Sequence, residues 1–135
     1  MNGDVDGTAI VLWVRDGNGR WSGRTVWTVV VDGEAYIRSA FGRRSAWYRR
    51  VLRQTGAHAD AYAEAEVEPE AAAGQRRRVL LRPAADPVLV ARVSDAYRAA
   101  YGLHWPGPVA SMNADEAAAT TLRLADPGEV AQLPA

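Results

Sequence analysis

Between Tyr36 and Arg50 the chain reads YIRSAFGRRSAWYRR, a stretch whose residue types and spacing suit the binding of an anion. Arg43 and Arg44 carry guanidinium groups, forked donors that match the oxygens of phosphate and carboxylate. Ser45 stands where a helix would begin, and there the backbone N–H groups lack intrahelical acceptors and the macrodipole is positive. Gly42 permits a left-handed backbone and close approach of a ligand. Arg38 and Ser39 end the preceding strand and would complete the cradle. The same pattern also fits an ordinary strand-to-helix turn with a polar cap and solvated arginines, so residue types alone leave both readings open.

Other chemistries find less support. His58 and His104 are distant in sequence, and neither belongs to an HxH, HExxH or carboxylate cluster, so no metal site is expected. No serine lies in GxSxG, and there is no P-loop or GxGxxG. The absence of cysteine excludes disulfides, thiolate catalysis, iron–sulfur clusters and cysteine-ligated zinc. Lysine is absent too: all 16 basic residues are arginine, which removes Schiff-base chemistry. Formal charge sums to zero, so the triplet Arg76-Arg77-Arg78 is expected to be a solvated strand end, without a nucleic-acid partner.

The elements that must position the cradle follow from periodicity. A length of 135 residues with 48% apolar composition suits one domain spanning 1–135, with 1–7 and 125–135 expected as flexible tails. The segment from Thr8 to Arg15 is β-branched and ends at the turn Asp16-Gly17-Asn18-Gly19. Arg24 to Val31 reads as a second strand, closed by Asp32-Gly33, a type I′ hairpin signature. Glu34 to Ala40 returns, with Ala35, Ile37 and Ser39 on one face and Tyr36, Arg38 and Ala40 on the other. A helix is predicted from Ser45 to a Gly56 cap, with Trp47 expected on its buried side. Weaker strand signals cover His58–Val67 and Arg76–Arg82. Asp86 and Pro87 start a second helix whose stripe includes Val93, Tyr97 and Tyr101 and which stops at Gly102. The breaker-rich segment LHWPGPVASMNADE is expected to be a loop, and Ala117–Leu124 a last strand. Mostly antiparallel strands with two helices indicate an α+β, barrel-like fold. Asp4 and Asp6 stand where a secretory leader would be basic, and no stretch approaches a membrane span, so a cytoplasmic location is expected.

The run RTVWTVVVDGEAYIRSAFGRRSAWYRR, Arg24 to Arg50, resembles the core of the FMN-binding split barrels, both pyridoxamine-phosphate-oxidase-like and deazaflavin-dependent nitroreductase-like. Downstream, DAYRAAYG (Asp95–Gly102) and ATTLRL (Ala119–Leu124) resemble more specifically a small uncharacterised bacterial domain family within that superfamily. The resemblance implies a mostly antiparallel split β-barrel with two helices and an FMN or deazaflavin coenzyme transferring hydride to a small organic substrate. It carries cofactor contacts onto Arg24, Thr25 and Trp27 of one strand, Arg38 and Ser39 at a strand end, the loop residues Arg43 and Arg44, and Trp47 of the helix, to which the anion cradle adds Ser45 at the helix start. It also implies a homodimer, since FMN-type split barrels usually build their site across two subunits. Where the nitroreductases have a lysine and paired glycines, this chain has Ala40-Phe41-Gly42. A phenyl ring filling that space would favour an alternative, a cofactor-free barrel that binds, isomerises or cyclises a small molecule. A second alternative, a non-catalytic interaction module, draws on the arginine triplet and the Trp105-Pro106 loop.

Overall fold

A computed structural model describes residues 8–56, 61–72 and 74–128. Seven antiparallel strands form one sheet in the order β2-β1-β5-β6-β7-β4-β3, where β1 is Ala9–Arg15, β2 Trp21–Trp27, β3 Val29–Val31, β4 Glu34–Ile37, β5 Ala63–Pro69, β6 Arg77–Pro83 and β7 Leu122–Ala125. Among the described residues four α-helices accompany them: α1 Ala46–Thr55, α2 Pro87–Tyr101, α3 Pro106–Met112 and α4 Asp115–Ala118. This is an α+β split-barrel fold. The expected tails 1–7 and 129–135, and His58, lie outside the described residues, whereas Ala125 is the last residue of β7 and pairs with Leu80.

Closure of the barrel corrects the reading of Arg24–Val31 as one strand. The chain breaks at Thr28, and β2 and β3 stand at opposite ends of the sheet order. Thr28 sends its N–H and its hydroxyl to the carbonyl of Thr8, at 3.0 and 2.9 Å. The Tyr97 hydroxyl donates to the Trp27 carbonyl at 2.8 Å, and the Tyr101 hydroxyl to the Thr28 carbonyl at 2.7 Å. Two phenols of α2 thus tie down the bend, and the Tyr101 hydroxyl also reaches the Thr8 carbonyl at 3.0 Å.

Alternation along β1 sends Ile10, Leu12 and Val14 inward, where they meet Ala63, Ala65 and Val67 of β5, Val79 and Leu81 of β6, and Trp47, Tyr48 and Val51 of α1. A second core lies on the opposite face of β3 and β4: Val29, Val31 and Tyr36 pack against Val93, Tyr97 and Tyr101 of α2 and Val109 and Met112 of α3. The two-faced alternation of β4 is therefore real, with Ile37 in one core and Tyr36 in the other. Asp32 (φ 52) and Gly33 (φ 81) both adopt the left-handed backbone that the predicted hairpin turn requires.

Both predicted helices exist, and their ends follow the sequence signals. Asp86 accepts a bond from the Leu89 N–H at 2.9 Å, and Gly56 closes α1 in the left-handed region (φ 60). Asp86→Ala is expected to cost about 1 kcal/mol, the usual value of an N-cap, measurable by urea denaturation. The breaker-rich segment forms α3 and α4 instead of a loop, because Pro106 and Pro108 sit in the first turn, where no intrahelical donor is needed. Ala117 and its neighbours accordingly belong to α4, and the last strand begins only at Leu122.

Candidate functional site

A cavity of about 820 Å3 opens between β2, the end of β4, the start of α1 and the α3–α4 segment. Eight of the nine expected cofactor contacts lie on its wall: Arg24, Thr25, Trp27, Arg38, Ser39, Arg44, Ser45 and Trp47. Arg43 does not. Arg43 and Arg44 occupy a single 3-10 turn, Gly42–Arg44, that precedes α1, so neither belongs to the first turn of the helix. Ser45 is the N-cap of α1 by backbone geometry, but its side chain makes no capping bond. Phe41 is 71% exposed at the rim and leaves the interior free.

Arg38 is the most constrained residue of the site. It is 1% exposed, and its guanidinium bonds Thr121 Oγ1 (2.8 Å), Ser94 Oγ (2.9 Å), Asn113 Oδ1 (3.1 Å) and the carbonyls of Val90 (2.8 Å) and Met112 (3.2 Å). None of these five acceptors is a carboxylate. Burial pushes the guanidinium pKa down, partly offset by Tyr97, over whose ring the group lies at 5.6 Å. The Arg38 head thus joins the end of β4 to α2, to α3 and to the residue before β7, and its positive charge borders the cavity with no carboxylate partner among the described residues.

Ser39 differs. Its N–H donates to Thr120 Oγ1 at 2.8 Å, but its hydroxyl, on a residue 1% exposed, has no partner among the described residues. A buried hydroxyl without a partner on a cavity wall is positioned to bond a ligand. Two threonines hold this strand end: Thr120 and Thr121 turn their hydroxyls back onto the carbonyls of Ala117 and Ala118, each at 2.6 Å, and accept from Ser39 and Arg38. Their role was not evident in sequence; the signal was the doubled hydroxyl in ATTLRL.

Gly42 has φ 62, and a Cβ there would lie 3.1 Å from Glu116 Cβ. The turn bearing Arg44 therefore presses on α4, and Arg44 faces Glu116 across the rim at 3.9 Å. On the opposite wall Trp27 stacks on Tyr101 with centroids 4.2 Å apart and planes 8° from parallel, and Trp105 tilts against it at 6.4 Å. Met112 and Pro108 add apolar lining. Tyr97 and Tyr101 do not line the cavity: their hydroxyls are bonded to the Thr28 bend, and burial raises the pKa of both far above the ordinary phenol range. Neither is placed to act as a proton donor in the cavity.

The arginine triplet is neutralised in place. Arg76 pairs with Glu66 at 2.6 Å and lies 4.1 Å over the Trp13 ring, Arg77 pairs with Asp126, and Arg78 with Glu64. Among the described residues no group of three metal-ligating side chains occurs, and no helix is long and apolar enough to cross a membrane.

Residues 6–124 match the model of a family described as "Uncharacterized protein conserved in bacteria (DUF2255)". No curated protein matches. Among solved structures, a crystal structure of Campylobacter jejuni ChuZ superposes with a TM-score of 0.60 at 13% sequence identity, over 91% of this chain and 49% of the other. At that identity the likeness concerns the fold alone, and this chain spans about half the length of the structure it matches.

Proposed function

Since the chain belongs to the DUF2255 family, we propose that its cavity holds a flavin or deazaflavin coenzyme and that the protein is a small reductase. The observation that carries this reading is the Ser39 hydroxyl, buried and unpartnered on the wall of a cavity whose rim bears Arg44 and the uncapped start of α1. The donor set fits a coenzyme with an anionic tail: Ser39, Ser45 and Arg44 would take its phosphate, above the uncompensated charge of Arg38. Trp27, Trp47 and Met112 would face the flat ring, with Arg24 and Thr25 beside its polar edge. The bound coenzyme would supply hydride chemistry; the protein would supply orientation, charge and exclusion of water. A cavity of this volume lies in the range typical of small-ligand sites, which favours this reading over an interaction module.

The absorbance spectrum of the purified protein, before and after incubation with FMN and with a deazaflavin, tests the reading. A bound and spectrally shifted coenzyme is the expected result. Arg44→Ala and Ser39→Ala should each weaken it, the former by roughly tenfold as befits a charge-assisted bond, while Arg43→Ala and Arg53→Ala leave the spectral titration nearly unchanged. Absence of binding by the wild type would move the function to a cofactor-free barrel acting on a small molecule. The proposal includes a homodimer in the cytoplasm; light scattering showing a monomer at micromolar concentration would favour the deazaflavin over FMN.

A further inference from the structure

A second concavity, of about 450 Å3, lies between the turn that joins β1 to β2 and the outer side of α1. Arg15, Asp16, Gly17, Arg50, Arg53 and Gln54 line it. Arg50 and Arg53 are three residues apart on α1 and so project from the same side of the helix. Eight arginines of the chain form ion pairs with described carboxylates, but neither Arg50 nor Arg53 does.

The carboxylates nearby are already committed. Asp16 accepts the N–H groups of Asn18 and Arg20 at 2.8 and 3.0 Å, and these two bonds are the main reason its pKa is held below the ordinary carboxylate range, with Arg50 adding to the effect through space. Glu64 pairs with Arg15 at 2.9 Å and is shared with Arg78 at 3.2 Å. Three arginines thus line the cleft against one carboxylate, Asp16, and the partner of Arg15, Glu64, also serves a fourth arginine. Gly17 lets a guanidinium rest on the turn: a Cβ there would lie only 3.3 Å from Arg53 Nη1. The cleft therefore combines a positive excess, two forked donors without a fixed acceptor and a turn that holds one of them in place.

We infer that this cleft binds the dianion of a small, soluble phosphate monoester through Arg50 and Arg53, at a site separate from the main cavity. Two guanidinium groups can each engage an edge of one phosphate, and the excess positive charge favours a dianion over a monoanion. The inference is independent of the coenzyme reading, since none of these residues lines the main cavity.

Titration of the full chain with glycerol 3-phosphate at constant ionic strength, followed through the amide resonances of Gly17 and Gly19, tests it. Saturable shifts are expected, with no saturable response to acetate. The double variant Arg50→Gln/Arg53→Gln should bind about tenfold more weakly or worse, with undiminished amide dispersion, while Arg44→Gln binds as the wild type does. Absence of a saturable shift would overturn the inference. So would an equal response to acetate, or a response abolished by Arg44→Gln and retained in the double variant.

Discussion

Arg38→Met is expected to destabilise the protein by about 3 kcal/mol or more in chemical denaturation, far beyond the effect of any exposed arginine. The substitution removes a charged donor from five acceptors at once, and two of these are the carbonyls of Val90 and Met112. The hydroxyls of Ser94 and Thr121 can rotate toward other partners and the Val90 carbonyl keeps its place in the α2 ladder, but each lost bond to a charged donor costs about 1.5 to 3 kcal/mol. Relief from burying a charge offsets part of this loss, which is why the total falls short of a simple sum. Arg38→Lys keeps the charge but reaches fewer acceptors, and should fall between methionine and the wild type. A loss under about 1 kcal/mol for methionine, the scale of an exposed substitution, would show that the five bonds do not hold the helices to the sheet.

The double variant Tyr97→Phe/Tyr101→Phe is the second large effect. Each change preserves the ring but removes a hydroxyl that bonds the bend, Tyr97 at the Trp27 carbonyl and Tyr101 at the carbonyls of Thr28 and Thr8, at about 1 kcal/mol or more apiece. Because the two rings are in contact at 6.0 Å and serve adjacent residues, the costs are expected to couple rather than add. Amide exchange should accelerate first at Thr28. Alkaline pH gives an independent readout, with a definite sign. Burial raises both phenol pKa values above the ordinary 10.0, so the unfolded chain releases these protons at lower pH than the folded one. Their contribution is thus complete below pH 10 and declines above it, so wild-type stability should fall as pH rises through that value. The double variant should show a shallower decline, retaining the part owed to Tyr36 and Tyr48, whose pKa values are also raised by burial. Identical slopes would mean that the phenols are not what the bend depends on.

What could be read in the sequence was local. Asp32-Gly33, Asp86-Pro87 and Gly56 specify backbone conformations through their own chemistry, and the elements they bound appear where expected. The break at Thr28 was hidden because valine, threonine and tryptophan favour strand on both sides of it, and the groups that stabilise the bend come from Thr8, Tyr97 and Tyr101. Trp21 to Gly23 of β2 escaped for a related reason. Gly23 weakens a strand pattern, and only the structure reveals the Trp13 ring lying over it, 2.7 Å from where a Cβ would stand. At the site, the composition of the cradle was legible but the division of labour was not. Alternation placed Arg38 opposite Ile37, but only the arrival of α2 and α3 on that face supplies the acceptors that make it a tie between elements.

The position of β7 has a consequence for how the molecule is made. It is the last strand in the chain but stands fifth in the sheet, between β6 and β4. The β3–β4 hairpin leaves the ribosome before β7 and cannot join the other strands until residues 122–125 follow it. All the groups that satisfy the Arg38 guanidinium, from Val90 to Thr121, emerge later still than Arg38 itself. A nascent chain therefore carries the apolar β3–β4 hairpin and a cation without its acceptors until those later segments have been made. Its closure is a late event that spans some eighty residues, from Ser39 to Thr120. Such long-range pairing slows folding and prolongs exposure of the hairpin edge, so the growing chain is expected to depend on chaperones more than the finished one.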